Sequence, residues 1–264
     1  MRLVLTYHAT RLERLDRRGC DLLRLAADLD LLADAGVPVL PLDDLLAPGC
    51  REGVAITLDD GTRIDGEPHL HPGLGLLPSM LQVLAQARRR LPRLRASSFV
   101  IGSPAARADM AGALRADYGE DLMHARWWPR AQASGLMDIE NHSWDHNHPL
   151  AGTSALAGQP RGTFLHVASD AEAEAEIAVT SDHIERAVGR RPRYFAYPFG
   201  HVAAFLRDDW LPRRGPALGL SAAFSTEPRP LRDDDERWAL PRFVAGRDWR
   251  DDAGLMGLLR GPAG

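Results

Sequence analysis

The sequence predicts an α/β protein, a distorted (β/α) barrel of seven or eight mostly parallel strands with its active site at the strand C-terminal ends. Three observations carry that prediction. Short apolar runs alternate with segments of helical periodicity, the pattern of repeated βαβ units. Seven or eight such runs in one chain of 264 residues favour closure over an open sheet. The polar residues that stand out follow the strand runs rather than precede them, as barrels require of functional groups.

Taken in order, LVLTYH at 3–8 reads as the first strand. Residues 21–36 put Leu22, Leu25, Leu29 and Leu32 on one helical face, with Gly36 as a stop. VPVLPL at 37–42 and GVAITL at 53–58 are the next strand candidates. A helix over 77–91 leads to a strand at 97–102; a helix over 121–135, interrupted near Pro129, leads to a strand at 136–140. Ser169 and Glu172 form a capping box for a helix with Ile177, Ile184 and Val188 down one face. Strands at 194–200, 221–226 and 238–243 and a short helix over 251–260 complete a single domain, 1–264. The stretches 60–76 and 147–168 read as loops.

Composition narrows the function. A net charge of −4 and 45% hydrophobic residues suit a globular chain with ample core and show no nucleic-acid footprint. All 32 basic residues are arginine, a bias of base composition rather than of function. Cys20 and Cys50 are too few for a disulfide framework and read as buried thiols. No segment reaches the roughly 20 apolar residues that span a bilayer. The N-terminal apolar run stops at Tyr7-His8, too short for a secretory signal core, so the chain reads as cytoplasmic.

Three strand ends carry the chemistry. In ITLDDGT (56–62) an apolar run ends in two adjacent carboxylates, Asp59 and Asp60, whose repulsion a cation would remove. In NHSWDHNH (141–148), His142 and His146 stand four apart, so one helical turn would place both imidazoles on one side. Two histidines and a carboxylate meet the needs of a catalytic zinc site with an open position. In YFAYPFGH (194–201) a strand ends in a sharp turn able to aim a backbone N–H at an oxyanion. Each alone is equally an acidic loop, a polar loop or a structural turn.

In combination and in this order, the three resemble the polysaccharide deacetylases (family 4 carbohydrate esterases). Thr57 to Gly61 match the motif T-[FL]-D-D-G, His142 to His146 match H-[ST]-x-x-H, and Pro198 to Gly200 match P-[YFW]-G. The likeness runs from TYH at 6–8 to ALPRF at 239–243. FAYPFG is nearer the poly-β-1,6-N-acetylglucosamine deacetylases than the chitin-type enzymes. The resemblance implies a divalent metal, most often Zn2+, held by Asp60, His142 and His146. It implies Asp59 as the base that deprotonates the attacking water, and the Phe199 N–H as an oxyanion donor. Acetate would be released from an N-acetylated sugar or polysaccharide.

The chain departs from the family at two places. Where many members carry an arginine that orients the base it has Ala196, leaving Arg193 or Arg242 as substitute. No histidine follows His201, so the proton for the leaving amine falls to His201 itself or to Asp59. Two other functions stay open: hydrolysis of a non-polysaccharide amide, and sugar binding without turnover. Among the bystanders, Trp127 and Trp128 read as helix packing before a sugar platform. His69 and His71 read as groove-lining, His8 as a rim residue supporting the site, His148 as an exposed loop residue, and Asp145 as a support for a histidine or a solvated turn. His124, His166 and His183 read as surface.

Overall fold

A computed structural model describes residues 1–12, 16–71, 73 and 75–261. The first half runs β1 (Arg2–Tyr7), α1 (Asp21–Asp34), α2 (Leu42–Leu45), β2 (Gly53–Leu58), α3 (Arg63–Gly66), β3 (His69–His71), β4 (Gly75–Leu77), α4 (Met80–Ala87), β5 (Ala96–Val100) and α5 (Pro104–Tyr118). The second half runs α6 (Trp128–Ala133), β6 (Met137–Asn141), α7 (Asp170–Ala173), α8 (Val179–Val188), β7 (Tyr194–Ala196), α9 (Leu211–Arg214), β8 (Ala222–Phe224), β9 (Phe243–Val244) and α10 (Asp252–Arg260). A π-helical stretch, Glu174–Ala178, joins α7 to α8.

Seven strands form one sheet in the order β8-β7-β6-β5-β2-β1-β9, and every pairing is parallel. The sheet curls, and its last strand brings the edges together. Leu5 and Thr6 of β1 pair with Phe243 and Val244, while Leu240 just upstream makes a parallel bridge to Phe224 of β8. Leu240 N donates to Ala223 O at 2.8 Å, and Ser225 N donates to Leu240 O at 2.8 Å.

Burial follows the strand period of two. Val4, Ala55, Phe99, Tyr194, Ala196, Ala222, Phe224 and Leu240 form one buried cluster inside the curl. Leu3, Leu5, Val54, Ile56 and Leu58 belong to another, shared with Leu22, Leu25, Leu29 and Leu32 of α1. GVAITL is buried at all six positions, as strands sandwiched between a barrel interior and helices must be. Register then sets the rim. Tyr7 pairs with Leu58, so His8 and Asp59 emerge together; Val100 pairs with Asn141, so His142 emerges beside Ile101. By parity, Asp59 points inward with Ala55 and Thr57.

Four expectations need correction. VPVLPL contributes only a bridge at Val39 to Val54, because Pro38 and Pro41 lack the N–H a strand needs, and α2 starts directly after Pro41. Of 121–135 only Trp128–Ala133 is helical; Pro129 sits in its first turn, so it starts that helix rather than interrupting one. Arg237–Ala239 is a 3-10 turn, and pairing with β1 begins only after Pro241, at Phe243. Within the expected loop 60–76, β3 and β4 form an antiparallel hairpin. No helix among the described residues is long and apolar enough to cross a membrane.

Candidate active site

The three motifs meet at the C-terminal mouth of the barrel. A cleft of about 280 Å³ is lined by His8, Asp59, Asp60, His142, His146, His148, Phe199, Gly200, Thr226, Val244 and Arg247. Larger hollows of about 580 and 610 Å³ hold no comparable set of donors and bases; one is an arginine-lined groove beside the cleft, the other surrounds Asp43 and Tyr194 at the opposite end of the strands.

The backbone at the site is unusual. Among the described residues, the non-glycines at positive φ are Asp60, Ser143, His146, Asn147 and Phe199; four lie in the motifs and Asn147 directly follows the second. Such conformations cost about 1–3 kcal/mol each and persist only where surrounding contacts impose them. The contacts are visible. Arg107, buried on α5, donates to Gly61 O at 2.8 Å, to Ile101 O at 3.3 Å and to Asp60 O at 3.4 Å, holding the turn after β2. Gly61 has φ +64°, and a Cβ there would lie 2.4 Å from Val100 Cγ1, so the turn needs glycine on two counts. His142 and His146 are not on a helical turn as the spacing suggested. Ser143 Oγ accepts from His146 N at 2.9 Å, and a bent loop brings the two rings to 4.8 Å.

That loop is held from behind. Asp145 is buried and accepts from Asn147 N at 2.8 Å and Ala155 N at 2.6 Å, which makes it a scaffold of the loop rather than a solvated turn. Glu176 accepts from Trp144 N at 3.0 Å; burial, with the Asp145 charge behind it, pushes its carboxyl well up. Glu176 lies on the π-helical stretch, whose extra residue turns it toward the loop.

Asp60, His142 and His146 present one ligand atom each, all within 4.8 Å of one another. Both imidazole Nε2 atoms stand 3.8 Å from Asp60 Oδ1. His142 Nδ1 lies 2.8 Å from Ala196 O; a carbonyl can only accept, so Nδ1 carries the hydrogen and Nε2 keeps its lone pair. Burial pushes both histidines below their ordinary range despite the nearby carboxylates at His142. Two neutral nitrogens and a carboxylate oxygen are the donor set of a catalytic zinc site, and these residues fit such an ion.

Asp59 makes a different set of contacts. Arg242 Nη1 donates to Oδ1 at 2.8 Å and Nη2 to Oδ2 at 2.9 Å, a bidentate fork buried on both sides. Burial alone would raise Asp59, but the Arg242 charge and bonds, with His142 nearby, outweigh it and hold the carboxyl at about 2. Arg242 is fully buried, is anchored by Nε to Ser225 O at 2.9 Å, and lies over the Phe99 ring at 5.3 Å. Of the two candidate substitutes for the arginine absent at Ala196, Arg242 reaches the carboxylate. Arg193 instead pairs with Asp43 at 2.7 Å, at the far end of the strands.

At the third motif, Phe199 has φ 59° and is 38% exposed at the cleft. The turn's internal bonds run from Gly200 N to Tyr197 O at 2.9 Å and from His201 N to Pro198 O at 3.0 Å, and the Phe199 N–H takes no part in them. His201 is not among the cleft-lining residues; its ring sits 5.5 Å from that of Phe199, which in turn sits 4.3 Å from His146. His148 does line the cleft, contrary to its reading as an exposed loop residue, and its Nδ1 accepts from Leu150 N at 3.1 Å.

Residues 47–209 match the family model described as polysaccharide deacetylase. The chain belongs to the polysaccharide deacetylase family. Among curated proteins no sequence matches it. Solved structures of similar fold include the deacetylase PplD of Streptococcus pyogenes in complex with acetate, 14% identical, covering 97% of this chain and 96% of that one, TM-score 0.65. IcaB from Ammonifex degensii is 19% identical, covering 96% and 95%, TM-score 0.63. A polysaccharide deacetylase from Bacillus cereus is 17% identical, TM-score 0.59, with 92% of this chain covered; the chain spans only 64% of that longer protein. At these identities the likeness speaks for the fold.

Of the other residues singled out by sequence, most fall away from the cleft. Trp127 and Trp128 are buried packing residues, with the Arg107 guanidinium 5.0 Å over Trp128. His69 and His71 lie on β3 beside Tyr118 and do not line the cleft. His8 lines it directly. Cys20 is buried, whereas Cys50 is partly exposed. Arg107 and Glu176 were not foreseen. A lone arginine in a helix and a lone glutamate in an acidic helical stretch carry no signal until the fold brings them against the motif turns.

Proposed function

We propose that the chain hydrolyses the acetyl amide of an N-acetylated sugar, releasing acetate and leaving a free amine. The observation that carries this reading is the Asp59–Arg242 fork standing beside three converging ligand atoms, with Asp59 Oδ2 only 4.0 Å from His142 Nε2. A relative that merely binds sugar has no use for a buried, ionised carboxylate at that point.

A divalent cation, zinc for preference, held by Asp60, His142 and His146 would polarise the scissile carbonyl and acidify the attacking water. Asp59 accepts the proton of that water. The Arg242 fork keeps Asp59 charged and fixes its orientation, at the cost of making it a weaker base, so its contribution is largely one of position. The Phe199 N–H, free of the turn's internal bonds, donates to the developing oxyanion. Asp59, protonated by the attacking water, returns the proton to the leaving amine: His201 does not line the cleft, and His148, which does, is a neutral imidazole with Nδ1 accepting from Leu150 N.

The test is acetate release from N-acetylglucosamine oligomers, with and without a chelator. Release that is lost on chelation and restored by added zinc is expected. Oligomer binding with no acetate release under any metal would overturn the reading.

A further inference from the structure

We propose that the substrate carries, next to its scissile amide, an apolar substituent of about four carbon atoms, received by a recess beside Asp60. The proposal rests on the deacetylase reading and adds a feature of its substrate. The recess measures about 130 Å³ and opens from the cleft, with which it shares Asp60 and His148. Its wall is Ile101, Met110, Leu114, Met123 and Leu150, with Thr10 and Thr62.

Those side chains come from separate parts of the chain. Ile101 follows β5, Met110 and Leu114 lie one turn apart on α5, Met123 precedes α6, and Leu150 follows the His148 loop. Ile101, Met110 and Met123 are 1%, 4% and 3% exposed, while Leu150 at 50% forms an open lip. The cleft is therefore two-sided. His8, Thr226 and Arg247 make one flank polar, as sugar hydroxyls require, and the recess makes the other apolar. Nothing in the chemistry of a metal-ligating carboxylate calls for an aliphatic wall beside it.

The methionines add adaptability, since an unbranched thioether side chain moulds to irregular apolar groups. At about 30 Å³ per group the size of a water molecule, the recess holds about four such groups. The same alkyl chemistry could come from an acyl chain longer than acetyl or from an alkyl aglycone.

Two substrate series separate the sources. One varies the amide of methyl glucosaminide from acetyl to hexanoyl; the other keeps the acetyl group and lengthens the aglycone from methyl to hexyl. In one of them kcat/KM should climb about fourfold per methylene until the recess is full, then level off. A rise in the first series assigns the acyl chain, and a rise in the second assigns the aglycone. Two flat series, with methyl N-acetylglucosaminide still deacetylated, overturn the inference and leave the deacetylase reading intact. If no member is hydrolysed, the deacetylase reading fails. Calorimetric affinities of the carboxylate and amine products then decide the recess without turnover, by showing the same dependence on length or none. Filling the recess with Met110→Trp should reduce the gain per methylene to about onefold. Leu114→Phe serves if the larger change impairs folding, and a folded variant that keeps the full gain overturns the proposal.

Discussion

Removing the Arg242 guanidinium should expose how much of this site is held by one buried ion pair. In the native protein Asp59 is held at about 2 against an ordinary 3.8. That gap corresponds to about 2.5 kcal/mol of folding stability at neutral pH. The folded value lies below the unfolded one, so this contribution is complete above about pH 4 and is lost as pH falls through about 2. In Arg242→Gln the fork disappears, and burial, now opposed only by the nearby histidines, pushes Asp59 up. The loss should lie between about 2.5 kcal/mol and the roughly 3–5 kcal/mol typical of a buried charge left without its partner. Urea unfolding of the chelator-treated protein at pH 7 measures it for Arg242→Gln, Asp59→Asn and the double variant. The two single costs should exceed the double cost by about 2 kcal/mol, the signature of a direct pair. A coupling below about 0.5 kcal/mol, against that expectation, would show that the fork does not hold Asp59, and its role as an oriented base would fall with it.

Asp59→Asn should abolish acetate release yet retain metal by elemental analysis, whereas His142→Ala should lose the metal; equal metal loss in both would refute the division of labour between Asp59 and Asp60. Gly61→Ala must accept a φ of +64° and a Cβ 2.4 Å from Val100 Cγ1, so it should cost about 2–4 kcal/mol in urea unfolding, and a cost near zero would mean the turn after β2 is not tightly held. Glu176, raised by burial and by Asp145, keeps in the folded state a proton that the unfolded state releases as pH climbs past the ordinary glutamate value. Wild-type stability should therefore fall with rising pH relative to Glu176→Gln, and thermal melts that run parallel from pH 5 to 8 would contradict it.

The residues that meet at the cleft were legible in the sequence because each motif is a local event: an apolar run fixes the parity of a strand, and the residues just beyond its end face the mouth. Asp59, Asp60, His142, His146 and Phe199 were singled out by such strand ends, and their separate roles by the family resemblance. Where local patterns misled, a backbone detail intervened. The i, i+4 spacing of His142 and His146 suggested a helical turn, but Ser143 and His146 at positive φ bring the rings together by another path. VPVLPL looked like a strand by hydropathy, yet its prolines left it one bridge.

The sequence by itself determined which chemical groups this protein brings to its site and on which strand ends they ride. Only the tertiary structure decided that Arg242, 183 residues from Asp59, supplies the missing guanidinium, that His148 rather than His201 faces the cleft, and that Arg107 and Glu176 brace the turns. Those choices depend on how β9 closes the barrel against β1 and on how the loop after β6 folds back onto the π-helical stretch. Both are contacts between distant segments, and no local run of residues encodes them.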